Sequence, residues 1–442
     1  MRIINKLREE VSKIFDSCNI SNLSKSNQFI QRKRKISASS LLEAMLFANS
    51  DPSKVSLNDL AIYFKLNFGI MLTRQAIGKK FSKNATDFLK QLIDHLLKIN
   101  LSDGSESFVT SKFERITIKD STCNQLPANL KELYPGSGGS GSDASVRIQY
   151  EYDLKNMEVL DLNVTAFNSQ DRVNAKLTIK KIRENDLVLR DLGYVDIQVL
   201  EAINQRKAWY ISRLNAHINA IDQETNQAID FLEIENELKR IGVQQIEKNV
   251  VLGSKRCPSR LIIEVLPEKI KEERLRKLTK EYKKKGRVLS KQKRARMGLN
   301  LFLTNCPSKM LSISEVRRIY GIRWQIEMIF KAWKQNLQFH KIKPMNVDRF
   351  EFLLYAKLVL VMLYWKIYQT VDSIFYSKTK QRISVAKIYK TLNQLCENIK
   401  RVLRGCKESL WKTMRYLQEM SGLQLKHDDR IDRINWKNVV NI

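Results

Sequence analysis

Near Arg115 the apolar residues stop recurring every three to four positions and begin to alternate, and this change of period restricts the fold more than any other feature of the chain. The segments RITIKD, VRIQYEYDL and MEVLDLNVTAF alternate or run continuously in β-branched and aromatic residues, as strands do. A helical stretch from about Asp171 to Arg183 follows, then LVLRDLGY, a second helix over 195–205, and WYISRL. Three strands, helix, strand, helix, strand is an α/β layer that begins antiparallel and continues parallel, and it is not a Rossmann repeat.

The flanking regions read differently. Residues 1 to about 105 carry helical periodicity in EAMLFAN, in 57–64 and in TDFLKQLIDHLL. Within them, 56–81 gives two short amphipathic helices joined by a turn around Asn67 to Gly69, with Thr73 as the N-cap of the second. That second helix presents Arg74, Gln75, Lys79 and Lys80, which resembles the recognition helix of a helix-turn-helix; a generic helical pair with solvated charges is the plainer alternative. Between the first two strands, YPGSGGSGSDAS lacks a following Gly-Lys-Ser/Thr and does not lead from a strand into a helix. It reads as a mobile loop near the site, not as a phosphate-cradling loop. From 268 to 296 there are fourteen Lys or Arg against four Glu, either a solvated face or a set of phosphate contacts. The chain then returns through the strand-like NLFLTN, a helix expected from 314 to about 337, and apolar helices to the end.

Charge narrows the partners. Seventy-eight Lys plus Arg against 47 Asp plus Glu leave +31, an excess that nucleic acid rewards through counterion release. A membrane partner is not expected: the start lacks a signal-peptide core, and the most apolar stretch, 350–368, contains Glu351, Lys357 and Lys366 and reads as a buried helix. Six scattered Cys and four dispersed His give no zinc pattern, redox pair or Ser-His-Asp triad, and fit a reducing, cytoplasmic setting.

Three acids remain as candidates for chemistry. Asp120 and Asp191 are expected at the ends of ITIKD and LVLRD, where an isolated Asp ordinarily caps the next turn. In YGIRWQIEMIFKAWK, advancing about 100° per residue from Tyr320 puts Arg323 near about −60°, Glu327 near about −20° and Lys334 near about −40°, one narrow polar stripe beside a wide apolar face. A solvated Arg323–Glu327 pair explains part of that stripe but neither Tyr320 nor Lys334. Three carboxylates brought together need cations, and hard oxygen donors without His or Cys favour Mg²⁺, with Mn²⁺ as a substitute. Two such ions suit in-line displacement at a phosphodiester.

The Tyr320, Arg323, Glu327 and Lys334 spacing, the Asp120 and Asp191 blocks, LYPGSGG and VRIQYEYDL together resemble the bacterial DDE transposases of the insertion-sequence-four family, subgroup two-three-one. The resemblance implies a ribonuclease-H-like core with Asp120, Asp191 and Glu327 as catalytic residues and metal ligands, and an insertion domain before the last acid. It also implies Tyr320, Arg323 and Lys334 on the DNA, and a homodimer holding two ends of double-stranded DNA. Family members cut both strands at inverted terminal repeats, commonly through a hairpin, and join the 3′ ends to target DNA. The domains expected are 1–110 (helical, DNA-binding), 111–213 (core), 214–299 (basic insertion), 300–375 (core with the Glu helix) and 376–442 (helical, for dimerisation or DNA contact). Where part of the family places a Trp that stacks on a flipped base, this chain has Asn300, and no base-flipping residue is assigned. A DNA-binding protein without catalysis and a metal-dependent nuclease without strand transfer are the rival readings.

Overall fold

The structure, a computed structural model, describes residues 2–32, 35–49, 54–99, 101, 112–138, 141–253, 257–338, 342–379 and 381–425. Helices come first: α1 (Arg2–Phe15), α2 (Ser17–Ser26), α3 (Ala38–Phe47), α4 (Leu57–Phe68), α5 (Arg74–Gly78) and α6 (Lys83–Leu97). Strands β1 (Ile116–Leu126), β2 (Ala144–Asp153) and β3 (Val159–Ala166) follow, then α7 (Asp171–Thr178), β4 (Leu187–Arg190), α8 (Ile197–Gln205) and β5 (Trp209–Arg213). The next stretch holds β6 (Ala220–Asp222), α9 (Phe231–Ile241), β7 (Gln245–Leu252), β8 (Cys257–Val265), α10 (Glu268–Lys284) and α11 (Lys291–Met297). The chain returns through β9 (Leu299–Thr304), α12 (Ile313–Ile322) and α13 (Gln325–Leu337), and continues with α14 (Val347–Thr379), α15 (Val385–Gln394), α16 (Cys396–Leu403) and α17 (Lys407–Met420).

The strands form one mixed sheet in the order β3-β2-β1-β4-β5-β9-β8-β7-β6. β2 lies antiparallel to β1 and β3, whereas β4 and β5 run parallel to β1, the antiparallel beginning and parallel continuation read from the sequence. β9 returns antiparallel to β5. Residues 214–298 do not form a separate layer: β8 pairs with β9 from Arg260↔Thr304 to Val265↔Leu299, so β6, β7 and β8 prolong the same sheet. α10, by contrast, buries none of its side chains, which accords with its run of charge.

The two faces of β1 have different chemistry. Asp161, Glu151, Lys119 and Arg190 stand side by side across β3, β2, β1 and β4. All four are buried. The Lys119 ammonium reaches Glu151 at 3.1 Å and Asp161 at 2.7 Å and donates to the Thr178 hydroxyl at 3.1 Å, while Arg190 reaches Glu151 at 3.3 Å. Burial alone would raise the Glu151 carboxyl, but Lys119 and Arg190 outweigh it and hold it down at about 2. Lys181 also reaches Asp161, at 2.9 Å, so each charge of this closed row has an opposite partner.

Three local expectations need correction. β1 runs on to Leu126, so Asp120 lies within a strand; it is the β1–β4 pairing that ends, at Lys119↔Arg190. The helix expected over 314–337 is two helices, broken at Arg323 and Trp324, where Arg323 N–H donates to the Tyr320 carbonyl and Trp324 N–H to the Gly321 carbonyl in three-residue turns. Gly321, a poor helix former, sits at the break. The expected recognition helix is α5, only five residues long, although Thr73 does cap it by accepting from Ala76 N–H at 3.1 Å and Gly69, at φ +68°, does close α4.

The loop after Tyr134 is tied at its base: the Tyr134 hydroxyl donates to Glu351 at 2.8 Å, and Gly136 N–H donates to the Asp143 carbonyl at 2.9 Å. A Cβ at Gly136 would collide with the Ser142 carbonyl, which accounts for glycine there. Part of the loop lies outside the described residues. α14 is the buried helix expected of 350–368; its Lys366 ammonium donates to the Ile99 carbonyl at 2.7 Å, and burial lowers that group to about 8. Among the described residues no helix is long and apolar enough to cross a membrane.

Candidate active site

One residue beyond the last β1–β4 pair, the two strands part, and each delivers an aspartate into the gap. Asp120 remains on β1 opposite Tyr150, and Asp191 leaves β4 for a short 3₁₀ turn. Asp191 makes no side-chain cap to that turn, so its carboxylate is not spent in the usual strand-end role. Glu327 comes from the first turn of α13, which packs against β1.

All three acids converge on Arg323 at the helix break. Its Nη1 lies 3.0 Å from Asp120 Oδ2, its Nη2 2.7 Å from Glu327 Oε1, and its Nε 3.8 Å from Asp191 Oδ1. The expected i, i+4 pair with Glu327 is therefore present, but as one arm of a three-armed contact. Asp191 and Glu327 are 44% and 45% exposed at their side chains, whereas Asp120 and Arg323 are 17% and 14% exposed. Burial pushes the Asp120 carboxyl up to about 6, and the neighbouring Asp191 and Glu327 charges add to that, against the Ser121 N–H and Arg323.

The donor set suits a hard divalent cation: three carboxylates from three elements, around a place already taken by positive charge. One guanidinium leaves three carboxylates under-compensated. Among the described residues no group of three such side chains is close enough to grip a metal ion as they stand, because the acids are spaced around a planar guanidinium. Their chemistry fits the ion, and their spacing fits Arg323.

The other members of the polar stripe divide. Tyr320 is buried with its ring against Phe302, centroids 5.4 Å apart, and the Arg323 guanidinium lies 5.8 Å from its ring centre. Burial raises its hydroxyl to about 12. Lys334, about two turns beyond Glu327, is half-buried and forms no ion pair among the described residues. Arg74, Gln75 and Lys79 are exposed on and just after α5 and Lys80 is half-buried; they are not part of the acid cluster.

A neighbouring group around Asn300 was not read as a cluster from the sequence. Arg213 Nη2 and Arg274 Nη2 both donate to Asn300 Oδ1, at 3.2 and 3.1 Å, and Asn300 Nδ2 donates to Glu264 at 3.0 Å. Arg317 also pairs with Glu264. Burial lowers Arg274, and the like charge of Arg213 adds to it. Three guanidiniums against one carboxylate leave a positive surface next to Tyr320, whose hydroxyl feels Arg213. The residues come from β5, β8, β9, α10 and α12, so no spacing in the sequence announces them.

Comparison with known proteins gives the family of the chain. The family described as "Transposase DDE domain" matches residues 111–363, more than half of the chain. The chain is 29% identical over 440 residues to a "Transposase for insertion sequence element IS231E" of Bacillus thuringiensis subsp. finitimus, covering 96% of this chain and 91% of the relative. It is 28% identical over 406 residues to a "Transposase for insertion sequence element IS1151" of Clostridium perfringens, covering 88% and 86%. Among solved structures, the piggyBac transposase in a synaptic complex with hairpin DNA superposes with a TM-score of 0.48 at 10% identity, covering 95% of this chain and 86% of that one.

Proposed function

The chain belongs to the DDE transposases, metal-dependent enzymes, and from that premise we propose that it acts on the inverted terminal repeats of an insertion sequence. In this reading it cleaves both strands at the element's ends through a hairpin and joins the 3′ ends to target DNA, working as a homodimer on two ends. The core is ribonuclease-H-like, with residues 214–299 as its insertion. The observation that carries this reading is the convergence of Asp120, Asp191 and Glu327 on one guanidinium.

Asp120, Asp191 and Glu327 are the ligands for two Mg²⁺ ions, or Mn²⁺ in their place. Bound there, such ions supply a polarised attacking oxygen and neutralise the leaving one. The chain's own groups hold the DNA. Arg323 offers a planar fork to a phosphate and Lys334 a point charge, and Tyr320 braces the Arg323 side of the site. Arg213 and Arg274 extend that positive track toward α10, whose exposed lysines and arginines add backbone contacts. Arg74, Gln75, Lys79 and Lys80 hold the terminal repeat at a distance from the acids, and the C-terminal helices serve the dimer or further DNA.

The test is incubation of the purified protein with its own flanking DNA and Mg²⁺, followed by mapping of nicks, hairpins and joined products. Hairpins and joined 3′ ends are expected. Nicks without joined products would favour the nuclease reading, and binding without any cleavage would favour the non-catalytic one.

A further inference from the structure

We propose that Arg323 is the internal counter-ion of the DNA-free enzyme, and that a DNA phosphate must draw its guanidinium out of the acid cluster before divalent ions can take the acids. The proposal rests on the metal-ligand reading given above and adds to it an order of events and a coupling between two ligands. Its basis is geometric. A single guanidinium meets Asp120, Asp191 and Glu327 at 3.0, 3.8 and 2.7 Å, so it fills the place where the acids meet. A divalent cation and a guanidinium cannot share that place, since two like charges in a partly dry cleft repel far more than in bulk water. The acids are also too widely spaced around Arg323 to grip an ion.

The same side chain is equipped to leave. Arg323 lies at the break between α12 and α13, and its long stem can turn without moving the strands that carry Asp120 and Asp191. The Arg213 and Arg274 surface beside Tyr320 marks the direction from which a phosphodiester arrives. A phosphate is a bidentate acceptor for the guanidinium just as a carboxylate is, so Arg323 exchanges one anion for another at little cost. Once it has moved, the three carboxylate side chains close on the vacated place and, with no compensating charge, become a strong site for cations. DNA end and metal thus bind cooperatively, and by reciprocity each raises the affinity for the other. Metal-dependent chemistry is thereby withheld until an end is seated.

The test reads metal binding, not turnover. Mn²⁺ is titrated into the wild-type protein, Arg323→Ala and Arg323→Met, each with and without a terminal-repeat duplex, and free Mn²⁺ is followed by electron paramagnetic resonance. Without DNA, both variants are expected to bind Mn²⁺ at least about tenfold more tightly than wild type, a coupling of ordinary size. With DNA, wild type gains about that factor and the variants gain little. Arg323→Met keeps the bulk of the stem, so agreement between the variants shows that removal of the charge, not collapse of the fold, is responsible. Equal or weaker DNA-free Mn²⁺ binding by both variants overturns the proposal while leaving the metal ligands intact. If Glu327→Gln also leaves all Mn²⁺ binding unchanged with DNA present, the metal-ligand reading fails as well.

Discussion

Two adjacent rows of the same sheet show opposite electrostatic design. In the first, Lys119, Glu151, Asp161 and Arg190 are buried, and their charges cancel within hydrogen-bond distance. In the second, one residue further along β1 and β4, Asp120 and Asp191 join Glu327 in a half-open cluster that holds three negative charges against one positive. The closed row pairs each of its charges internally and serves to lock β1, β2 and β4 in register. The open row has charge to spare, and its position is set by the closed one. A buried, charge-paired network directly behind an under-compensated one is how a fold can keep three repelling acids within reach of each other.

Changes to the open row should strike chemistry and spare the fold. Glu327→Gln is expected to lower Mg²⁺-dependent end cleavage by about a thousandfold or more while leaving end binding within a few fold, because the missing ligand acts on the reacting phosphate and not on the docked duplex. Cleavage assays and gel shifts on the same preparation check it, and full cleavage would remove Glu327 from the site. Changes to the closed row should do the reverse. Lys119→Met takes the central cation from between Glu151 and Asp161, leaving Glu151 to Arg190 alone and Asp161 to the half-exposed Lys181, and should cost about 3–5 kcal/mol in denaturant unfolding. A stable Lys119→Met protein with impaired cleavage would erase the distinction between the rows.

The sequence carried much of this site, and its gaps have physical causes. The order and sense of β1 to β5 were legible because alternation and helical periodicity each follow from side-chain direction. The three acids that meet at Arg323 were picked out through the helix stripe and the blocks around the aspartates. Lys119 and Arg190 stood next to those aspartates in the sequence, yet alternation sends them to the opposite face, and a lone Lys or Arg in a strand reads as solvated. Strands β6, β7 and β8 were not separated from the basic insert, since β7 exposes much of its first half and lacks a clean apolar pattern. The break at Arg323 and its meeting with all three acids depend on tertiary packing, which a helical wheel built on an unbroken helix does not contain.

Smaller effects sharpen the comparison further. Arg323→Ala should slow cleavage and strand transfer by roughly 10- to 100-fold because it removes a charge-assisted hydrogen bond to phosphate, and unchanged rates in single-turnover assays would contradict that role. The closed row should also report its charge through pH. The folded Glu151 carboxyl lies below its ordinary value, at about 2, so the stability it contributes is present above about pH 4.5 and is lost as pH falls toward 2. Glu151→Gln should flatten that acid limb in pH-dependent unfolding, and an identical acid limb would mean that the network does not hold the carboxylate ionised. The smallest change is expected at α10: neutralising any one of its lysines or arginines that touches a phosphate should reduce the slope of log affinity against log salt by about 0.9. An unaltered slope would make that helix a solvated face.

The central claim is that the open row accepts divalent ions once Arg323 gives way. Anomalous diffraction from Mn²⁺-soaked crystals of the protein with a terminal-repeat duplex tests it most directly. The account predicts Mn²⁺ peaks bounded by Asp120, Asp191 and Glu327, with the Arg323 guanidinium turned onto a DNA phosphate. Mn²⁺ bound elsewhere while Arg323 still bridges the three carboxylates would contradict it.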